Sequence, residues 1–597
     1  MIAGCVIILC VSAWVYKGRD YLLDPATYEN KFKIASQFLI DGNNDEAILG
    51  FQELIKANDQ FPAVFFNLGR AYNNKKEWDT AIAAYDRALQ FNIDFKHLIH
   101  FHKGLAAFNK EDFDLAQESF KTACSLKPDY AESYYYLGMN AQKQLKFDDA
   151  VQYLTQASKI NTSLLTSLLS LAHDLRNQEK LESAYECCKN AIAIDPKGAH
   201  AYYAYLMMGD IDNMQSRPEQ AIEHYQKACD ANAQCHEAFN NLGALYAGQY
   251  GDLKKAQPYL EAALKIKPDH AGTRAGLSAL YLVLGDYDRG WAEYEHRLEH
   301  FFERAPRTFE KPRWDGKSSL EGKTIIVHAE QGLGDTLQFI RYAQNIKNKG
   351  AKKVIVEVQK PLRKILSRCP YIDALIIPDE QWPEHDVQVP LMSLPYLCKT
   401  KVNSIPAAIP YITPDQSLLT EWKEKLSPDK KYKIGICWHV EPSHDADVFR
   451  GEGKTISVSG CKRSVPLELF LPLAKLNNVS VYSLQKHNGL EEFAKVNHEG
   501  LIKDFGPDFD AAHGSFMDTA AIMKNLDLVI TADTSVAHLA GALGVPVWIM
   551  LPFPADWRWL LDRKDTPWYP SMRLFRKSRN DKDWSRVMDE VKIALKQ

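Results

Sequence analysis

Between residues 28 and 300 the apolar positions fall at helical spacing, and a finer pattern runs through them: a small residue, a second 12 positions later, and a third 7 beyond that. Gly69, Ala81, Ala88; Gly104, Ala116, Ala123; Gly138, Ala150, Ala157; and Ala172, Ala184, Ala191 are the clearest sets, at a period of 34 or 35. Ala35, Ala47 and Leu54 open the series. Gly209, Ala221, Ala228 follow a three-residue insertion, Gly243, Ala256, Ala263 carry one extra residue, and Ser278, Gly290, Arg297 close a degenerate eighth copy. Small residues let two helices approach closely, and Tyr72, Tyr85, Phe120, Tyr153, Tyr225 and Tyr259 are placed to fill the gaps. Pro128, Pro196 and Pro268 each follow the third small position by five residues, where a helix must end. The pattern predicts an α-solenoid of about eight helical hairpins, whose concave groove suits a protein or peptide.

After Trp314-Asp315-Gly316 the period changes to short apolar strands alternating with amphipathic helices. Residues 324–330, 353–359 and 374–378 read as buried parallel strands, with helices at 335–349 and 361–369. A proline-rich stretch, 390–414, interrupts the series. Strands at 433–438, 479–485, 501–506, 527–533 and 545–551 then resume it. The predicted organisation is therefore repeats over 28–300, a linker at 301–320, and two doubly wound α/β halves at 321–425 and 430–597, with a ligand cleft at the carboxyl ends of their strands.

Residues 2–16 carry no charge, and Lys17 and Arg19 follow. At about 1.5 Å per residue this stretch spans roughly 22 Å of a bilayer core about 30 Å thick. Residues 1–19 read either as a short membrane anchor or as a signal-like segment ending near Val11-Ser12-Ala13, though no basic region precedes the apolar run. A misassigned start or a plain apolar tail is the bland alternative. If the segment inserts, the positive charges after it leave the rest of the chain on the cytoplasmic side.

Composition narrows the picture. At 597 residues the chain exceeds what one core organises. With 72 Lys and Arg against 76 Asp and Glu the net charge is −4, and 46% of residues are hydrophobic, which argues against a globally basic nucleic-acid binder and against wholesale disorder. Eleven cysteines, an odd number with no Cys-x-x-Cys pair, indicate reduced thiols of a cytoplasmic protein.

Two strand-to-helix turns carry the candidate chemistry. In Glu330-Gln331-Gly332-Leu333-Gly334-Asp335-Thr336 the glycines permit a tight turn and close backbone approach, and Asp335 stands at the helix start. In Thr531-Ala532-Asp533-Thr534-Ser535-Val536-Ala537-His538 a helix N-terminus with two hydroxyls suits a diphosphate without a basic residue. Each turn alone is equally a plain capped helix. Asn67 and Asn241, two positions before the first small residue of their repeats, read either as groove residues or as ordinary solvated positions. Tyr134, Tyr135 and Tyr136 read as packing.

The repeat pattern resembles the tetratricopeptide repeat. The two turns, together with residues 389–394 (VPLMSL), 463–467 (RSVPL), 483–486 (SLQK) and 556–575 (DWRWLLDR onward), resemble the heptosyltransferase-like glycosyltransferases of family nine. The match is closest to bacterial proteins that place this domain after tetratricopeptide repeats. The resemblance implies a GT-B fold and an inverting, metal-independent transfer of a sugar from a nucleotide-sugar donor, used as substrate with no cofactor, to an acceptor hydroxyl. It also implies an acceptor on a protein or peptide held by the repeats, and no nucleic-acid partner.

Site roles follow from the same resemblance. Asp335 is implied as the general base, with Gly332 and Gly334 shaping its turn. Asp533, Thr534, Ser535 and His538 are implied at the donor's phosphates and sugar. Arg463 would offset charge on the leaving diphosphate, with Lys462 as its weaker neighbour, and Lys486 would reach phosphate or ribose. No metal ligand is expected, because GT-B sites use helix dipoles and basic side chains in place of a cation. The sequence departs from the family at His439-Val440-Glu441-Pro442 and in an insertion-like stretch, 444–461. A non-catalytic repeat scaffold with a degenerate nucleotide-binding domain is the competing reading.

Overall fold

The computed structural model describes residues 23–300, 309–378, 380–440, 463–497, 499–506 and 508–596. The apolar segment 2–16, the start of the linker at 301–308, Lys462 and the stretch 444–461 lie outside them. Among the described residues no helix is long and apolar enough to cross a membrane.

From Pro25 to Tyr294 the helices pair into eight hairpins, one for each small-residue register. The registers work as close contacts. A Cβ added at Gly69, Gly104 or Gly209 would come within 2.5–2.6 Å of the ring of Tyr85, Phe120 or Tyr225. At Gly138 and Gly243 the covering side chains are Leu154 and Leu260, not the neighbouring Tyr153 and Tyr259. Tyr259 instead stacks on Tyr246 at 5.6 Å. Helices end at Leu126, Ile194 and Ile266, two residues before the three prolines. A left-handed residue recurs at each hairpin turn: Gly42, Lys76, Glu111, Leu145, Glu179, Ser216, Gly251 and Gly285. The repeat period is thus written in the backbone as well as in the core. Asn67 is fully buried and donates to Ser36 Oγ at 3.4 Å, so it is no groove residue. Tyr136 stacks on Phe120 at 5.7 Å.

Gly104→Ala forces its methyl into the buried Phe120 ring at 2.6 Å. Overpacking of this kind costs about 1–3 kcal/mol, read as a lowered urea midpoint.

The chain divides into two compact units, Met1–Ala233 and Gln234–Gln597. The second holds the last two hairpins and both α/β halves. In the first half, β1 (Thr324–His328), β2 (Lys353–Glu357), β3 (Ala374–Ile376) and β4 (Val387–Pro390) form a parallel sheet in the order β3-β2-β1-β4. In the second half, β5 (Tyr432–Cys437), β6 (Val479–Ser483), β7 (Ile502–Lys503), β8 (Leu528–Ala532), β9 (Val547–Leu551) and β10 (Met572–Arg576) form a parallel sheet in the order β10-β9-β8-β5-β6-β7. The fold class is the expected one, a helical solenoid followed by two doubly wound halves.

Details depart from the sequence reading. β4 was hidden at the edge of the proline-rich stretch, and β10 in the polar alternation of Met-Arg-Leu-Phe-Arg. The single helix expected at 335–349 is two, Leu333–Phe339 and Tyr342–Asn348. Arg341 sits at the break, where its Nε donates to the Gln338 carbonyl at 2.7 Å and its Nη1 donates to the Trp568 carbonyl in the other half at 2.7 Å. Residues 312–314 run beside β4, with Trp314 buried and its backbone N–H bonded to the Gln388 carbonyl.

Candidate functional site

Both turns lie at switch points, where the strand order reverses and a crevice opens at the carboxyl edge. In the first sheet β1 is flanked by β2 and β4, and the turn after it leads to Asp335. In the second, β5 is flanked by β6 and β8, and the turn after β8 leads to Ser535–Ala542. The helices opened by the two turns, Leu333–Phe339 and Ser535–Ala542, pack against each other. A Cβ on Gly334 would stand 2.9 Å from His538 Cδ2 and 3.7 Å from Ser535 Cα. Glycine is what allows this approach. Motifs 200 residues apart in sequence therefore meet in one place.

His538 is buried. Its Nδ1 lies 2.9 Å from the Tyr569 hydroxyl, and its ring stacks on Trp559 at 5.5 Å. Burial, then the charges of Arg558, Arg341 and Arg463, push its pKa well below the ordinary value, so it is neutral at pH 7. Asp533 accepts from Trp559 Nε1 at 2.9 Å. Burial, reinforced by Asp556, pushes its carboxyl up to about 6, against the pull of Trp559, Arg463 and Arg558. Thr534 caps the helix, its Oγ1 accepting from the Val536 N–H at 3.2 Å. Ser535 beside it is half-buried. Arg463 is near enough for its charge to act on both Asp533 and His538. The Lys486 ammonium donates to the Phe509 carbonyl and lies over the Phe509 ring at 4.5 Å.

The raised pKa of Asp533 has a consequence for stability. The folded chain holds this proton up to about pH 6, whereas an unfolded aspartate releases it near 3.8. Stability from this group is therefore fully present below pH 3.8 and is lost as pH rises through 6, a deficit of roughly 3 kcal/mol. Asp533→Asn keeps the acceptor for Trp559 without the charge. It is expected to be more stable than the parent by up to about that amount at pH 7.5, with the advantage vanishing near pH 4. Urea unfolding at the two pH values measures this, and an equal or lower midpoint at pH 7.5 contradicts it.

Asp335 accepts the Gly332 N–H at 2.9 Å through one oxygen and pairs with Arg558 through the other. Arg558 also donates to Asp556 and Gln338. Although burial opposes its charge, Asp556 and Asp335 raise its pKa further. Sequence reasoning missed Arg558, Asp556 and Tyr569 as site residues. An arginine enclosed by tryptophans, in Asp-Trp-Arg-Trp, was the available signal.

The last hairpin braces the same turn. Arg297, at the position where six of the other seven repeats carry alanine, forms a bidentate pair with Glu330 at 2.8–3.2 Å and donates to Ser393 Oγ at 2.8 Å. Tyr294 and Gln331 share hydrogen bonds at 2.9–3.2 Å. Trp291 meets Trp557 edge-on at 5.3 Å. The degenerate eighth repeat thus docks on the α/β region.

Among the described residues no group of three His, Cys, Asp or Glu side chains could hold a metal ion. The α/β half does contain Asp-x-Asp spacings, at 445–447, 508–510 and 581–583, so spacing alone does not speak against a cation. Asp510 accepts the Asp518 and Thr519 N–H groups, and Asp581 pairs with Arg586.

Residues 33–94, 98–130, 206–271 and 248–295 match family models of the tetratricopeptide repeat. Protein FlbA of Caulobacter vibrioides is 23% identical over 517 residues, covering 81% of this chain and 82% of FlbA. Two solved structures align with the chain at 14% identity and TM-score 0.32. They are a family 9 glycosyl transferase of Veillonella parvula, with 47% of this chain and 90% of that one covered, and the E. coli ADP-heptose LPS heptosyltransferase II, at 46% and 99%. The family models fall on the segments 33–130 and 206–295 of the hairpin array, so the chain carries tetratricopeptide repeats ahead of a C-terminal region of two doubly wound α/β halves.

Proposed function

We propose that the α/β region is a glycosyltransferase that moves a sugar from a nucleotide-sugar donor to an acceptor hydroxyl, with inversion and without a metal ion, and that the repeats hold the protein or peptide acceptor. The observation that carries this reading is the meeting of the two turns, with Gly334 against His538 and the Ser535 helix start, and Asp335 next to Gly334 in the chain.

The acceptor oxygen forms a bond to the sugar C1 while its proton passes to Asp335. The bond between C1 and the diphosphate oxygen breaks, and its electron pair leaves on the nucleoside diphosphate. The N–H groups opening Ser535–Ala542 and the Arg463 guanidinium offset that charge. Neutral His538 contributes a hydrogen bond without placing a second cation in the cleft.

A thermal-shift panel of nucleoside diphosphates and nucleotide sugars on the full chain tests the reading, since a donor at 100 times its Kd adds about 2.7 kcal/mol of apparent stability. Donors that shift the melting point are then assayed for transfer. Binding without turnover favours the non-catalytic scaffold, and neither binding nor transfer overturns the proposal.

A further inference from the structure

Arg558 is fixed by three side chains from two halves of the fold. Its Nη1 donates to both Asp556 oxygens at 2.9 and 3.1 Å, its Nε to Gln338 Oε1 at 2.9 Å, and its Nη2 to Asp335. It is 8% exposed, and its Cζ lies 4.4 Å from the centre of the Trp557 ring. Asp335 is held at its other oxygen by the Gly332 N–H, so both ends of the carboxylate have a set direction.

We propose that Arg558 and Asp556 position Asp335 for its role as proton acceptor: Arg558 orients the carboxylate, and Asp556 supplies the counter-charge that lets Asp335 become neutral. The catalytic part of this inference rests on the glycosyl-transfer reading above, whereas the three-residue arrangement does not. When the acceptor oxygen bonds to C1, the leaving diphosphate takes the electron pair and Asp335 takes the proton. A buried guanidinium paired with Asp335 alone would then be stranded without a counter-ion, a strongly unfavourable state. Asp556, bound through both oxygens, remains to balance it. Neither residue touches the reacting atoms; both act through Asp335. The planar fork of arginine suits this task, because one group reaches three acceptors at fixed angles.

Kinetics of the full chain test the proposal. R558Q is expected to lower kcat about 100-fold, the scale of a misplaced catalytic group, with the donor KM within about threefold. D556N should lower kcat by roughly tenfold, again with little change in KM. R558K, which keeps the charge without the fork, should recover only part of the loss. Unchanged kcat, or a KM that rises in proportion to the fall in kcat, overturns the proposal. A double-mutant cycle of D335N and R558Q, read by urea unfolding, needs no turnover. Should the parent transfer sugar from no donor, the glycosyl-transfer reading fails, and the cycle still decides the arrangement. Coupled effects of the two substitutions uphold it, and additive effects overturn it.

Discussion

Asp335→Asn is expected to lose about 10²–10⁴ in kcat, the contribution of a positioned general base, while donor affinity stays within a few-fold of the parent. The asparagine retains the size of the carboxylate but not its ability to take the acceptor proton. Its amide can still satisfy one of the two donors that meet Asp335, the Gly332 N–H or Arg558, but not both. A modest loss of stability accompanies the change. Arg558 keeps Asp556, so no buried charge is left unpaired. Donor affinity by calorimetry, set beside kcat from product formation, separates the two effects. Equal losses in both would remove Asp335 from the role of base and leave it a structural cap.

Arg297→Met is expected to be the largest single change in stability outside the cores, about 3–5 kcal/mol. Removing the arginine strands Glu330, whose side chain is only 3% exposed, with no cation to meet it. Its remaining partner, the Met392 N–H at 3.2 Å, cannot balance a buried carboxylate. The loss should be seen in unfolding followed by tryptophan fluorescence, because Trp291 and Trp557 meet at this joint. Adding Glu330→Gln to Arg297→Met should restore most of it, because two uncharged side chains replace the broken pair. If the double variant is as unstable as the single one, packing rather than charge holds the hairpin to the turn. The first compact unit, Met1–Ala233, should unfold unchanged in both variants.

Much of the fold was legible because its determinants are local. The contact of Gly104 with Phe120 spans 16 residues, and the same interval recurs at Gly69 and Gly209, so one interaction is written again and again. The β1 and β8 turns were legible for a similar reason: an apolar strand, a small or hydroxyl residue and a helix start are adjacent in the chain. β4 and β10 were not, since four or five residues of mixed polarity become strands only when a neighbouring strand accepts their hydrogen bonds. The neighbour of Gly138 was misread by one position, Leu154 for Tyr153, because spacing fixes which face a side chain takes but not which side chain reaches across.

The roles within the site divide along the same line. The repeat array, the two α/β halves, and the turns that carry Asp335 and His538 follow from residue order along the chain. Packing in three dimensions makes these turns meet, keeps His538 neutral, lets Asp533 hold its proton up to about pH 6, and sets Lys486 against Phe509. It also decided that Arg297 abandons the small-residue rule to pair with Glu330, and that Arg558 stands between Asp335 and Asp556. The physical reason is that periodicity is a property of neighbours along the chain. Proton affinity and ion pairing instead depend on desolvation and on charges that folding brings together, such as Arg341 near His538 and Arg558 beside Asp335.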